Sequence, residues 1–229
     1  MMPHCPQILN PAFNRVYGRC AAEPGFISTS FSPLNYGGEL YVCPDGWCRV
    51  SLHVADSARL FDKHYHGWHV AYHGTSHLLA PTVLANGLAP SQAGCFSRGQ
   101  PAYYFSPSIR YVSHPRYAKV YRHRDRYYQM VFQCRVNPAR IWKKKSGTLP
   151  GSYIADPPID PSRTNKELEW LVRPLPEQPA GGLAGSDLFV IYGIMVRSYC
   201  SVEDALADPT NGWWCEDTKG KVLAGREVT

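Results

Sequence analysis

The sequence predicts an α+β fold of antiparallel sheets with few short helices, and three observations carry that expectation. Two stretches alternate in period two, three more are short runs rich in aromatic and branched residues, and helical spacing is confined to two brief segments. With 229 residues, 44% of them hydrophobic, the chain is long enough to bury a sizeable core.

The first alternating stretch, "WCRVSLHV", sets Cys48, Val50, Leu52 and Val54 against Arg49, Ser51 and His53, the pattern of a half-buried strand. In "YHGTSHLLAPTVLANGL", from Tyr72 to Leu88, Pro81 suits the first turn of a helix, Val83 and Leu84 give it an apolar side, and Gly87 suits the position just past its end. "AYYFS" from Ala102 reads as a strand, and 107–118 as a second short helix, broken or bent at Pro115. "YQMVFQCRV" sets Tyr128, Met130, Phe132, Cys134 and Val136 against Gln129, Gln133 and Arg135, again half-buried. "ELEWLV" from Glu167 and "LFVIYGIMV" from Leu188 complete the strands. Stretches 146–165 and 173–187, rich in proline or glycine, read as long loops within one domain, because neither is flanked by two self-sufficient cores. The expected organisation is a single domain over 1–229 with its core at about 40–197, extensions at either end and no internal repeat.

No stretch approaches the roughly 20 continuous apolar residues that span a bilayer, and "MMPHCPQILNPAFNR" lacks the charged-then-apolar order of a secretory signal. An intracellular protein of cytoplasm or nucleus, without membrane contact, is expected. Eight cysteines (Cys5, Cys20, Cys43, Cys48, Cys95, Cys134, Cys200, Cys215) include no Cys-x-x-Cys pair and no zinc-like spacing with histidine. Most are expected to be free, half-buried thiols, and no metal is expected. The net charge of +6 is uneven: between Arg110 and Lys145 eleven Lys and Arg face one acid, Asp125, so that segment carries +10 and the rest of the chain −4. Such an excess suits phosphate in a dinucleotide, a nucleic acid or an acidic partner; a solvated face with snorkelling side chains has the same composition.

Three segments place polar residues in strand context: "YHGTS" at 72–76, "YYFSPSIRYVSHPRY" at 103–117 and "NKELEWLV" at 165–172. Taken alone, His73 reads as a structural histidine, although Gly74, lacking a Cβ, lets a ligand approach the backbone. Period two puts Glu167 and Glu169 on one strand face, where two carboxylates repel; the face is then solvated or forms a catalytic cleft.

Together, in this order, the segments resemble the catalytic domain of ADP-ribosyltransferases of the diphtheria-toxin and poly(ADP-ribose) polymerase type, whose signature is His, Tyr and Glu on three separate strands. His73, Gly74 and Thr75 match the family's His-Gly-Thr. Ala102, Tyr103, Tyr104, Phe105 and Ser106 match its Tyr-Phe-Ser strand, with the tyrosine on Tyr104. Glu169, Trp170, Leu171 and Val172 match its glutamate strand, with Trp in place of Tyr. A second tyrosine, often spaced as Tyr117 is in mono-ADP-ribosylating members, stacks on nicotinamide; Tyr111 is the rival for that role. More narrowly, "GWCRVSLHV", "WHVAYHGT", "SPSIRYVSHPRYA" and "YGIMVR" resemble the C-terminal ADP-ribosyltransferase-like domain of neuralized-like proteins, from about Gly46 to Arg197. The glycine usual before the tyrosine strand is missing, and Glu167 with Glu169 is similar to the Glu-x-Glu of arginine-modifying toxins.

The resemblance implies a split antiparallel sheet fold and an NAD-consuming transferase, mono-ADP-ribosylating, with a protein or nucleic-acid acceptor and no metal. It implies that Gly74 holds the carboxamide in a two-point hydrogen bond and that His73 anchors a ribose hydroxyl. Tyr104 and Tyr117 sandwich the nicotinamide, Ser113 reaches the carboxamide, and Thr75 belongs to the same binding turn. Glu169 faces the developing cation, and Glu167 orients the acceptor. Three alternatives stand beside it. A tRNA 2′-phosphotransferase-like NAD enzyme shares the His-Gly-Thr-Ser turn and short helix but uses no strand glutamate. A non-catalytic module keeps the fold and binds NAD, ADP-ribose or a protein partner. A Cys–His hydrolase has the residue types here but no recognisable nucleophile motif.

Overall fold

The computed structural model describes residues 8–18, 27–29, 34–91, 100–143, 146–175, 182 and 186–225. Cys5, Cys20, Cys95, Lys144, Lys145 and most of the expected loop 173–187 lie outside them. In chain order come β1 (Arg15–Tyr17), β2 (Ile27–Thr29), the hairpin β3 (Leu34–Tyr36) and β4 (Glu39–Tyr41), β5 (Cys48–Ser51) and helix α1 (Ala58–His64). They are followed by β6 (His69–Gly74), α2 (Ala80–Asn86), β7 (Tyr103–Phe105), α3 (Ile109–Val112), β8 (Tyr121–His123), β9 (Arg126–Val136) and β10 (Ile141–Lys143). The chain closes with β11 (Trp170–Val172), β12 (Phe189–Tyr199), α4 (Val202–Ala207) and α5 (Glu216–Leu223).

This is an α+β fold. The main sheet runs β2-β1-β5-β12-β9-β6, with β8 paired to the start of β9; the second runs β10-β11-β7. All pairings between these strands are antiparallel except β1 with β2. The two sheets meet at one bridge, Tyr72 opposite Ser106, where N–H and C=O are exchanged at 2.7 and 3.0 Å.

Apolar side chains fill both faces of the main sheet. On one, Ala71, Phe132, Cys134 and Phe189 pack with Tyr103, Phe105 and Trp170 of the second sheet. On the other, Val70, Tyr72, Val131 and Met195 pack beneath Ile109, Tyr111, Leu149 and Leu168. Full burial of each large aliphatic or Phe side chain among them is worth about 1.5–3 kcal/mol. Buried residues run from Val16 to Val222, wider than the expected core at 40–197.

Three expectations about elements change. β9 is not half-buried: Gln129 and Gln133, expected to face solvent, are fully buried, Gln129 bonded to the carbonyls of Ser113 and Ala118 in segment 109–118 and Gln133 to the side chains of Arg49 and Tyr72. "ELEWLV" is strand only from Trp170, because Glu167 closes a capping box around Thr164 in the 3₁₀ turn Asn165–Glu167. The expected helix 107–118 shortens to the four residues of α3. The helix expected within Tyr72–Leu88 forms as α2, with Ala80 and Val83 buried and Gly87 at φ +80° just past its end.

Candidate functional site at the sheet junction

The single bridge between β6 and β7 determines what the next residues present. In an antiparallel ladder the backbone groups of alternate residues point to the same side. Tyr72 directs its N–H and C=O to Ser106, so His73 directs its own to β9, where it pairs with Phe132, and Gly74 points back toward β7. There, opposite Tyr104, no backbone pairing of Gly74 with β7 is formed among the described residues. Instead the Tyr104 carbonyl accepts a hydrogen bond from Nδ1 of His73 at 2.8 Å. A carbonyl only accepts, so Nδ1 carries the proton and Nε2 is left as an acceptor. Burial lowers the His73 pKa and favours the neutral ring, an effect partly opposed by this hydrogen bond.

A glycine at 74 is enforced by packing. A Cβ there would lie 2.5 Å from Cβ of Tyr117 and 2.6 Å from the carbonyl oxygen of Val112. Tyr117 and α3 therefore press against the backbone of β6. That segment is fixed from below by Gln129, whose amide donates to the carbonyls of Ser113 and Ala118, both at 2.8 Å. The Gln129 Oε1 accepts from Arg197 at 3.1 and 2.7 Å.

Glu169 precedes β11 and is buried, 3% exposed. Its Oε1 accepts from the Tyr111 hydroxyl at 2.5 Å and from the backbone N–H of Thr148 at 3.0 Å. Burial, then the neighbouring Tyr117 and Glu169, push the Tyr111 phenol well above its ordinary range. Burial and Glu169 push Tyr117 up to about 12. Both phenols thus stay protonated and can donate. The Tyr111 ring is backed by Trp213, with centroids 6.0 Å apart and planes 14° from parallel.

His73, Gly74, Tyr104, Tyr111, Tyr117 and Glu169 line one cavity of about 60 Å³, with Phe105 and Val112. Tyr103 is turned away, packed edge-on against Phe189, so of the two adjacent tyrosines Tyr104 faces the junction. Thr75, buried, follows β6 directly but does not line the cavity. Two expected residues are elsewhere. The Ser113 hydroxyl donates to the Arg110 carbonyl at 3.0 Å. The Glu167 carboxylate accepts from the N–H and hydroxyl of Thr164 at 2.8 and 2.7 Å, and lines no part of the cavity.

Thr148, Gln129 and Trp213 were not singled out from the sequence. Gln129 carried a signal, a polar residue in the strand with the longest alternation. Thr148 acts through its backbone and Trp213 through a contact about a hundred residues away, and neither leaves a local pattern.

No protein-family model matches the chain. The described cations of the basic segment 110–145 differ in their surroundings. Arg116, Arg122 and Arg124 are exposed, but Lys143 pairs with Glu39 at 2.7 Å, Arg126 donates to Ser198, and Arg135 lies over the Tyr36 ring. Among the described residues no group of three His, Cys, Asp or Glu is placed to hold a metal ion, and no helix is long and apolar enough to cross a membrane. Cys134, Cys200 and Cys215 are free thiols.

Proposed function

We propose that the chain is an ADP-ribosyltransferase-like domain of the split antiparallel sheet type, which cleaves NAD at the nicotinamide–ribose bond and passes ADP-ribose to a protein or nucleic-acid acceptor. The observation that carries this reading is the junction cavity. Residues from three distant segments converge there, beside a glycine whose N–H and C=O face the gap between two strands.

On this reading Gly74 offers its N–H and C=O to the carboxamide, Tyr104 and Tyr117 flank the ring, and Nε2 of His73 accepts from a ribose hydroxyl. Nicotinamide leaves already bearing positive charge, so no proton need be given to it; the barrier lies in the cation developing on the ribose. A carboxylate about 4 Å from that cation, at an effective dielectric near 20, contributes about 4 kcal/mol, or about a thousandfold in rate. Tyr111 and Thr148 position Glu169 for that role. A cavity of about 60 Å³ has room for roughly two waters. Entry of a ring therefore requires the lining side chains to move apart. Glu167, held by Thr164, has no part in this arrangement.

One observation favours a second reading, a non-catalytic NAD- or ADP-ribose-binding module: Oε1 of Glu169 is already occupied by two donors beside a small cavity. Incubation with labelled NAD separates the two. The transferase reading expects labelled product, lost by about a thousandfold in Glu169→Gln with NAD binding within a few-fold of the parent. NAD binding without turnover by the unmodified chain selects the module, and no binding overturns both.

A further inference from the structure

A second cavity, of about 380 Å³, opens among β1, β5, α1 and the middle of β12, and shares no lining residue with the junction. Its volume is within the range of small-molecule sites. Arg15, Arg49 and Arg135 line it, each half-buried, and among the described residues none is paired with a carboxylate. Arg49 donates to the Ser51 hydroxyl, the Gln133 side chain and the Phe13 carbonyl; Arg135 donates to the Trp68 carbonyl and Arg15 to the Asn14 carbonyl. Nε of Arg135 is buried with no hydrogen-bond partner. The one acid on the described wall is Asp62, which is exposed.

Partly desolvated cations gathered without a counter-charge are unfavourable unless an anion joins them. Burial and Arg49 lower the pKa of Arg15, as this crowding requires. The walls are aromatic, and two guanidiniums already lie over rings: Arg135 over Tyr36 at 4.6 Å and Arg49 over Tyr192 at 5.3 Å. The sheet is shaped to hold this geometry. The register of β12 against β9 slips between Ile191 and Gly193, which leaves Tyr192 as the extra residue, with its side chain on the cavity wall. At Gly193 a Cβ would lie 2.6 Å from Cδ of Arg49, so any larger residue would displace that arginine from its present position.

We propose that this cavity binds a small ligand joining a flat ring to a phosphate, the phosphate meeting Arg15 and Arg135 and the ring lying among the tyrosines. Arg supplies the planar fork that phosphate takes, and the aromatic walls supply stacking area.

The test is calorimetric titration of the full chain with AMP, UMP and phenyl phosphate, beside adenosine, uridine and inorganic phosphate. Saturable binding of at least one ring phosphate is expected, at least tenfold tighter than its uncharged ring and than phosphate alone. Arg15→Gln and Arg135→Gln are each expected to weaken it at least tenfold, and Tyr104→Ala, at the junction, to leave it unchanged. Circular dichroism checks that each variant folds; should Arg135→Gln not fold, Arg15→Gln decides. Failure of all three ring phosphates to bind, equal binding of phosphate alone, or undiminished binding in folded Arg15→Gln overturns the proposal.

Discussion

At the residue scale, the junction depends on side chains held in one protonation state. His114 illustrates the consequence. It is buried among Trp213 and Trp214, its Nδ1 accepts the Arg116 N–H at 3.1 Å, and burial, then Arg116, lower its pKa to about 4. In the unfolded chain the same group titrates near 6.5. A histidine whose folded pKa is depressed gives stability that is complete above the unfolded value and is lost as pH falls toward the folded one. Between pH 7 and pH 4 the loss from this group is about 3 kcal/mol. His73, also lowered by burial, adds with the same sign. Urea unfolding across this range should show the decline, and His114→Asn, which keeps an acceptor for Arg116, should reduce it by about that amount; an equal decline in both would remove His114 as its source.

At the element scale, Gly74 joins β6 to α3. In Gly74→Ala the new methyl meets the Val112 carbonyl, a backbone atom that cannot rotate away, and Tyr117 must shift. Overpacking of this kind costs about 1–3 kcal/mol. Equilibrium unfolding should report that loss; a cost below about 0.5 kcal/mol would mean that α3 yields freely. Much at this scale was legible in the sequence. Alternation located β5 and β9, aromatic runs located β7 and β12, and Pro81 with Gly87 bounded α2, because each is a local property of the chain. The glutamate strand misled, since period two was read through Glu167 although Thr164-x-x-Glu167 is itself a helix-start signal. Of the residues named from the resemblance, His73, Gly74, Tyr104, Tyr111, Tyr117 and Glu169 line the cavity; Thr75, Ser113 and Glu167 do not.

At the scale of the whole molecule, the parts hidden from sequence reading are those made by distance. Arg197, 6% exposed, reaches back to Gln129 and forward to Asp208, Thr210 and Asn211, so one guanidinium ties the C-terminal segment to the sheet. Those partners have no common period. A count of charge along the chain likewise merged arginines that the fold sends to different faces. Trp214 is 2% exposed and Trp213 backs Tyr111, so the last helices belong to the core around the junction. Truncation after Cys200 should lower stability by more than about 3 kcal/mol, the cost of losing one buried tryptophan. Hydrogen exchange should show the Thr148 amide losing protection as well; full protection there would mean that the C-terminal segment does not support the loop holding Glu169.

The lone bridge between the two sheets has a chemical consequence as well as a mechanical one. Past Tyr72 the ladder lacks one rung, with a donor and an acceptor of Gly74 on one rail. A primary amide is the smallest group that can act as that rung, offering N–H to the carbonyl and C=O to the N–H. A carboxylate of the same size has no N–H and would set oxygen against oxygen. Discrimination between an amide and its acid would thus be written in backbone, where no side-chain substitution short of replacing the glycine could alter it.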